Sequence, residues 1–529
     1  MLTAPQRAVW SRMRMAVVSR LLQRCMVPAL FLATLAPGVA ASTAFAQSNG
    51  WSEPVALSDE STSSWFPDVA VDASGRIHVA WSGGAALYPS QAYDTVVYAS
   101  SIDGRSWSAP LDIVALPSKG AVTRPALLSD SNGTLHMTYR SYMIYYTHGS
   151  VQAVRPLALL PARPISSGDN GYFSQLLLDR AGRLHIFYTE YAGQVGCPEC
   201  LHVFHRFSDD DGLTWSLPVD ITPGASGAAK PQILQDGQRR MHLVWEAGRG
   251  GDLGQIPDPT TVMYTASDDG GTTWRTPIQL APDDSRARNV TLALGGNGQK
   301  VAAWLGLPAD VIAYRVSEDG GLTWSDAAAI PGAFGAWAVY QGRTDGYSMV
   351  TDGAGTVHLL AVGRTSASEQ SLSVLHTTWD GTAWSPPEAV VTLTGDVPEW
   401  PRAAIGLGNE LQLVWFVRDQ AHIWGGPGEF RYRVWYAHKG LDLPRSEPIM
   451  FPTLTPASSA PAGLHPSPTI VEPTPTPQAA AVPLSTLAPE DAILPADVEN
   501  RSVLLILLAM VPVGVLLGGV VLVSYFRRR

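Results

Sequence analysis

The hydrophobic pattern of residues 50–440 consists of short apolar runs arranged in pairs. The first pair runs from Phe66 to Asp72 and from Ile77 to Trp81, with a turn that contains Asp and Gly between the two runs. Seven such pairs follow one another, and the position of His78 recurs with a mean spacing of about 56 residues, as far as Gln412. A repeat of this length with four short strands is typical of one blade of a β-propeller.

A second motif recurs in the outer half of the repeat, where a Ser-initiated turn contains Asp and Gly and ends at Trp. The four good copies have their Asp and Trp at Asp103 and Trp107, Asp211 and Trp215, Asp269 and Trp274, and Asp319 and Trp324. These segments resemble the Asp boxes, or BNR repeats, of the sialidase superfamily. The resemblance covers nearly all of residues 50–440 and implies a propeller fold rather than an activity. We expect these residues to be structural, with Asp and Gly forming the turn and Trp packing beneath it.

The order of the strands predicts how the ring closes. Trp51-Ser-Glu-Pro54 matches the strand that follows each box, although no box precedes it, and the last blade has only three strands of its own. The N-terminal strand would therefore complete the last blade and leave no open edge. The prediction is an all-β, seven-bladed propeller. A six-bladed ring is the alternative, because the sialidases that this chain resembles typically have six blades.

The two ends predict export and membrane anchoring. Residues 1–46 contain a basic stretch, an apolar run and Ala44-Phe45-Ala46, as in a signal peptide, and an uncleaved anchor is the alternative. The propeller would occupy residues 47–445, and residues 446–500 are a stalk rich in Pro and Thr. Residues 501–526 form a candidate transmembrane helix, and the basic tail 527–529 favours a cytoplasmic C-terminus. We therefore expect a single-pass protein of the cell membrane with an extracellular propeller.

Composition and charge narrow the classes of function. Of the 529 residues, 46% are hydrophobic and 16% are charged, which argues against a long coiled coil or a chain disordered throughout. Nine of the 36 basic residues lie in the two ends, whereas all 46 acidic residues lie between residues 47 and 500. That segment has no general attraction for nucleic acid, so the expected partners are an extracellular glycan or protein, and the lipid bilayer through the C-terminal helix.

The resemblance also suggests catalytic candidates. A retaining sialidase uses three arginines for the substrate carboxylate, a tyrosine nucleophile activated by a glutamate, and an aspartate as acid/base. Arg124, which precedes Pro125, is the closest match to the first arginine of the family, and Arg288 and Arg402 also stand near the starts of inner strands. Candidates for the other roles are Glu190, Glu246, Tyr191 and Asp68. Alternatively, the three arginines are loop residues that pair locally with acids.

Aromatic side chains near the ends of the strands suggest a binding surface instead. The candidates for stacking on sugar rings are Trp65, Tyr142, Tyr172, Tyr191, Trp337 and Trp400, with packing between blades as the alternative. The histidines recur once per blade, at His78, His136, His185, His242 and His358. Residues at one repeat position of different blades lie far apart around the ring, so we expect structural histidines rather than a metal site.

Cys197 and Cys200 are the only cysteines after the predicted signal peptide, and outside the cytoplasm a small disulfide is the leading interpretation. His202 and His205 would complete four zinc ligands, but residues three apart on a strand point to opposite faces, so we expect no metal and no cofactor. Two functions remain: recognition of a glycan or protein partner without chemistry, and hydrolysis as an exo-sialidase.

Overall fold

The computed structural model describes residues 50–59, 63–84, 95–115, 123–151, 159, 161–168, 171–192, 200–224, 227–248, 261–341, 346–419 and 432–446. The chain divides into two compact units, Met1–Ser459 and Ala460–Arg529, and every described residue belongs to the first. The predicted signal peptide, nearly all of the stalk and the predicted transmembrane helix lie outside the described residues. Within the described ranges, no helix has the length and apolar character needed to cross a membrane.

The described residues form 28 strands in seven four-stranded antiparallel sheets and contain no helix. Blades 1 to 3 are β2 (Ser63–Val71), β3 (Ile77–Gly84), β4 (Thr95–Ser101) and β5 (Leu111–Ala115); β6 (Thr123–Ser129), β7 (Thr134–Ser141), β8 (Met143–Ser150) and β9 (Arg163–Pro164); and β10 (Ser174–Leu178), β11 (Leu184–Tyr191), β12 (Leu201–Ser208) and β13 (Val219–Asp220). Blades 4 to 6 are β14 (Gly227–Gln235), β15 (Met241–Gly248), β16 (Thr261–Ser267) and β17 (Ile278–Gln279); β18 (Arg286–Leu294), β19 (Lys300–Leu307), β20 (Val311–Ser317) and β21 (Ala328–Phe334); and β22 (Ser348–Thr351), β23 (Val357–Gly363), β24 (Leu372–Trp379) and β25 (Glu388–Leu393). Blade 7 is β26 (Asp396–Gly406), β27 (Glu410–Asp419), β28 (Arg433–Gly440) and β1 (Val55–Ala56).

This topology confirms the seven-bladed prediction, and the six-bladed alternative is wrong. It also confirms the predicted closure of the ring, because β1 pairs with β28 with Val55 opposite Tyr436. The backbone N–H of Ser52 donates to the carbonyl of His438 at 2.8 Å, which extends the contact beyond the strand itself. The first residues of the propeller thus complete its last blade, in which β1 is the outermost strand.

The core lies between neighbouring blades because each sheet buries both of its faces. The second strand of each blade is the most buried, as in β15, in which only Gly248 is partly exposed. Such strands are near-continuous apolar runs rather than alternating ones. One cluster of buried side chains includes Phe66 and Trp81 of blade 1 together with Phe416 and Tyr436 of blade 7. Packing across the closure is therefore hydrophobic as well as hydrogen-bonded.

A bulge near the start of the innermost strand recurs in five blades. The pairing register shifts there, and one residue in each bulge has a positive φ between 48° and 57°. These residues are Phe66, Arg124, Lys230, Asn289 and Trp400. Four of the five precede a proline, which has no N–H to give to the ladder, so a bulge is favoured at this position. In four of these five blades the bulge residue itself lines the central channel, at Arg124, Lys230, Asn289 and Trp400.

Candidate functional site

The central channel is nearly closed by the bulge side chains. Its cavity is lined by residues of all seven blades, among them Asp68, Arg124, Phe173, Lys230, Asn289, Tyr347, Trp400 and Arg402, and has only about 20 Å³ of free volume. That is room for about one water molecule. No sugar ring can enter the channel, so a ligand would have to bind at its end. We call the end at which the innermost strands begin and the second strands finish the mouth.

Arg124 lies in this channel between two aromatic rings. Its guanidinium carbon is 4.2 Å from the centre of the Phe66 ring and 5.0 Å from that of Phe173. Its buried Nε has no hydrogen-bond partner, and no carboxylate pairs with it among the described residues. Burial and then the neighbouring charge of Arg140 lower the pKa of Arg124 to about 9. The side chain therefore stays mainly cationic at neutral pH with its charge uncompensated by the described part of the protein.

Arg140, at the end of β7, is the neighbour that sequence reasoning missed. Its guanidinium carbon lies 4.1 Å from the centre of the Tyr172 ring, and its Nε donates to the carbonyl of Gly171 at 2.8 Å. Burial lowers its pKa, and no carboxylate pairs with it in the described ranges. Arg140 follows Tyr139 as Glu246 follows Trp245 in a later repeat, and this shared position was the available signal.

The other two predicted arginines do not complete one clamp with Arg124. Arg402 lines the same cavity, but from beyond the bulge, 4.5 Å from the ring centre of Trp400, and burial lowers its pKa while the charge of Asp68 opposes that effect. Arg288 does not line this cavity. It is 6% exposed, and its guanidinium carbon is 5.2 Å from the ring centre of Trp337. The structure thus brings Arg124 beside Arg140, and not beside Arg288.

The predicted acidic candidates are engaged in other contacts. Asp68 lies in the channel, where its carboxylate accepts a bond from the N–H of Leu127 at 2.7 Å and burial raises its pKa. Glu246 pairs with Lys230 at 3.1 Å and accepts the N–H of Asn289 at 2.6 Å.

Glu190 is used in a similar way, because it accepts the hydroxyl of Ser167 at 3.1 Å and the N–H of Gly168. Tyr191 lies near Tyr172, with ring centres 6.2 Å apart. None of these contacts pairs a tyrosine hydroxyl with a glutamate.

A different tyrosine and glutamate do meet at the mouth. The hydroxyl of Tyr340 donates to Glu399, and Arg418 binds both. Glu399 is fully buried and Tyr340 is 6% exposed. Burial by itself would lower the pKa of Arg418, but Glu399, Tyr340 and Tyr432 together raise it. Tyr340 and Glu399 stand 59 residues apart, and the sequence carried no local signal for their contact.

The aromatic candidates have different environments. Tyr142 is 52% exposed, whereas Tyr172 and Trp337 are half-buried and lie against Arg140 and Arg288. Trp65 stacks on Tyr432, with ring centres 5.4 Å apart. Trp400 is only 4% exposed because it packs against Phe66 and Phe173 in the channel, so its prediction as an exposed sugar platform is wrong.

The Asp boxes form the predicted turns, with one correction. Asp103, Asp269 and Asp319 accept backbone N–H bonds from within their own boxes. In blade 3 this carboxylate is Asp210, which accepts the N–H of Thr214 at 2.8 Å, and not Asp211. Asp211 has a φ of 55° and occupies the position that Gly270 and Gly320 fill in the next two boxes.

Each box tryptophan packs on a ring of the preceding blade. The ring centres are 4.7 Å apart for Trp107 and Tyr436, 5.0 Å for Trp215 and Tyr146, 5.9 Å for Trp274 and Phe187, and 5.0 Å for Trp324 and Tyr264. The boxes therefore join blades as well as closing turns, as an edge-on aromatic contact allows.

Four of the five repeated histidines have hydrogen-bond partners at both ring nitrogens inside their own blades, whereas Nε2 of His136 lies 3.6 Å from Asp130. His242 shows the pattern, with Nε2 at 3.1 Å from Asp236 and Nδ1 at 2.7 Å from the hydroxyl of Tyr264. In blades 3 and 6 a second histidine replaces the tyrosine, as in the pair of His185 and His205 at 2.9 Å. Within the described ranges, no group of three His, Cys, Asp or Glu residues is arranged to hold a metal ion.

His202, which lies near the cysteines in sequence, also has hydrogen-bond partners within the protein. His202 contacts Asp220 at 2.7 Å and the carbonyl of Gly224 at 3.1 Å. Cys200 is buried and disulfide-bonded. Cys197 lies outside the described residues, so its pairing with Cys200 stays a prediction.

Comparison with known proteins gives one family match and several distant structures. Residues 163–391 match the BNR repeat-like domain. A protein of unknown function from Dyadobacter fermentans is 15% identical with a TM-score of 0.45 over 74% of this chain and 98% of its own. The NanB sialidase from Streptococcus pneumoniae is 12% identical with a TM-score of 0.42, over 74% of this chain and 71% of its own. An ulvan lyase is 11% identical with a TM-score of 0.47, over 72% of this chain and 95% of its own.

Identities and TM-scores this low assign no activity. The Asp boxes, the seven four-stranded blades and the match to the repeat domain nevertheless agree on the architecture. The described part of this protein is a seven-bladed β-propeller with a match to the BNR repeat-like domain over residues 163–391.

Proposed function

We propose that this protein recognises an acidic extracellular glycan at the mouth of its propeller. The observation that carries the proposal is the pair Arg124 and Arg140, which lie on paired strands with Thr123 opposite Arg140 and have no carboxylate partner among the described residues. Arginine binds carboxylate and sulfate groups through paired N–H donors. Tyr172, stacked on Arg140, offers an aromatic surface beside that charge. An acidic sugar presents both the anion and the apolar face that such a site can hold.

Among the residues that the structure describes, the nearby acidic side chains do not compensate this charge. Glu190 holds the backbone of a neighbouring loop, and Glu246 is paired with Lys230. The site is therefore locally cationic although residues 47–500 as a whole are acidic. A glycan anion would meet a local attraction there, with the general repulsion screened beyond about 8 Å at physiological salt.

We further propose that the propeller is displayed outside the cell on a membrane anchor. The support is the sequence of the ends: the predicted signal peptide 1–46, the Pro-rich stalk and the uncharged run Val503–Phe526 before three arginines. A protein ligand in place of a glycan is compatible with the same location. Carbonate extraction of membranes and protease accessibility on intact cells test this location.

The binding test uses the full chain in detergent and an array of sialylated, uronate-containing, sulfated and neutral glycans. We expect binding to acidic glycans that Arg140→Gln weakens about ten- to hundredfold, the usual range for a charged hydrogen bond. Arg183→Gln is the matched control, because Arg183 pairs with exposed Asp209 at the Asp-box end of blade 3. Binding that prefers neutral glycans, or that Arg140→Gln leaves unchanged, would contradict the proposal.

Hydrolysis is the second candidate, and one contact favours it. Tyr340 donates to Glu399 beside Arg418, a tyrosine-glutamate pair of the kind that retaining sialidases use. Its burial argues for a structural role. Release of a fluorophore from a generic sialoside distinguishes the two functions: turnover abolished by Tyr340→Phe would establish a hydrolase, and we expect none.

A further inference from the structure

The mouth has a second cationic site, on the other side of the channel from Arg140. Arg288, at the start of blade 5, lies against Trp337 and is 6% exposed. Its Nε is buried without a hydrogen-bond partner, and no carboxylate pairs with it among the described residues. Burying a guanidinium in this way is unfavourable unless water or an anion completes its hydrogen bonds.

The two sites have the same construction. In each, an arginine without a carboxylate partner stacks on a half-buried aromatic ring, Arg140 on Tyr172 and Arg288 on Trp337. Arg140 belongs to blade 2 and Arg288 to blade 5, so they are three blades apart in a ring of seven. The innermost strands and the side chains that close the channel lie between them. One carboxylate therefore cannot contact both.

The acids near the second site are also engaged. Asp310 forms an ion pair with Arg364 at 2.6 Å and accepts the N–H of Trp337 at 3.0 Å, and Glu399 is bound by Arg418. Two separate cationic sites consequently remain at the mouth among the described residues, Arg124 with Arg140 at one and Arg288 at the other. They suit a ligand with at least two anionic groups more readily than a single terminal sugar.

We propose that the mouth binds an extended polyanionic glycan, with one anionic group at Arg124 and Arg140 and another at Arg288 beside Trp337. This inference rests on the proposed function and adds to it a requirement for ligand length. A chain that bridges the channel binds its second group at a high effective concentration, which raises affinity without any new type of contact.

The test measures the affinity of the full chain in detergent for oligogalacturonides, from the monosaccharide to the decasaccharide. We expect affinity to rise about ten- to hundredfold once an oligomer spans both sites, and then to level off. Arg288→Gln should abolish this rise without affecting the shortest ligands, whereas Arg140→Gln should weaken ligands of every length. A sulfated chondroitin series in parallel tells whether sulfate serves as well as carboxylate.

Two controls make the outcomes distinct. Arg288→Lys keeps the charge but loses the planar donor set, and thermal unfolding of each variant identifies any that fails to fold. Arg183→Gln removes one charge far from the mouth. If Arg288→Gln folds and keeps the full length dependence, the second site is refuted while the proposed function stands. If no acidic oligomer binds the unsubstituted chain, the proposed function itself fails.

Discussion

The ring of Tyr146 in blade 2 lies directly against Gly212 in the Asp box of blade 3, and the Tyr146 hydroxyl donates to the carbonyl of Asp211 at 3.2 Å. Gly212 has a φ of 83°, and a methyl group added to it would overlap with the tyrosine ring. The same contact recurs between Gly271 and His205, and between Gly321 and Tyr264. The box therefore needs glycine for two reasons: the turn requires a positive φ, and the ring of the neighbouring blade leaves no room for a side chain.

Gly212→Ala should therefore destabilise the propeller by about 2–4 kcal/mol, because a left-handed alanine and an overpacked contact both cost free energy. Chemical denaturation followed by tryptophan fluorescence measures the change. Gly237→Ala is the control, since nothing lies within 4 Å of an added Cβ at that position and its φ is not in the left-handed range. Equal losses in the two variants would show that the interblade contact is unimportant.

The corrected box of blade 3 gives a second prediction. Asp210 accepts bonds from the N–H and hydroxyl of Thr214 and from the hydroxyl of Ser208, whereas exposed Asp211 contributes its backbone conformation. Asp210→Asn should lower the free energy of unfolding by about 1–2 kcal/mol, because an amide cannot accept all of these bonds. Asp211→Asn keeps a residue that tolerates positive φ and should stay within about 0.5 kcal/mol. If Asp211→Asn lowered the denaturation midpoint more than Asp210→Asn, Asp211 would be the carboxylate that closes the turn.

Stability should fall as the pH drops below about 6.5. Burial and then His185 lower the pKa of His205 to about 3, and burial lowers that of His242 to about 4. Since histidine in the unfolded chain titrates near 6.5, the unfolded state binds protons first as the pH falls. The contribution of each histidine is therefore complete above about pH 6.5 and is lost towards its folded pKa, at about 1.4 kcal/mol per pH unit for each proton.

His205→Tyr tests this linkage, because tyrosine occupies the same place in other blades, as Tyr264 does beside His242. Between pH 6.5 and about 4, the free energy of unfolding of the variant should decrease less steeply as the pH falls. The slope should differ from that of the unsubstituted chain by at most the contribution of about one bound proton. Unfolding midpoints measured across that range give the slope. Phe207→Tyr adds a hydroxyl to the same strand while keeping His205, and it should follow the unsubstituted chain. An unchanged slope in His205→Tyr would contradict the assignment.

Closure of the ring should depend on Trp51. Its side chain is 3% exposed, its Nε1 donates to Glu388 at 3.1 Å, and its ring meets that of His376 edge-on. Trp51→Ala should cost about 3–5 kcal/mol, as is usual when a buried tryptophan is truncated. Leu217→Ala, at a side chain that is 85% exposed, should change stability by less than about 0.5 kcal/mol. A small effect of Trp51→Ala on thermal unfolding would mean that blade 7 holds without the N-terminal segment.

The sequence alone determined the fold of the described domain. The paired apolar runs, the boxes around residues such as Asp269 and Trp274, and the unmatched strand after Trp51 all followed from local signals. Strands and turns are specified by residues that lie within a few positions of one another. The same pattern occurs seven times, so each copy supports the assignment of the others. The interpretation of His78 and its equivalents as structural was also available, because a period places them in different blades.

Only the tertiary structure decided what the mouth contains. Bulges place Arg124 and Trp400 in a closed channel, and Arg140 rather than Arg288 becomes the neighbour of Arg124. Tyr340 follows the last strand of blade 5, whereas its partner Glu399 belongs to blade 7. Glu246 and Lys230 belong to neighbouring strands of blade 4. Side chains around a propeller axis come from blades far apart in sequence, so their distances depend on how the whole ring packs. A repeat pattern identifies equivalent positions, but it does not say which of them meet.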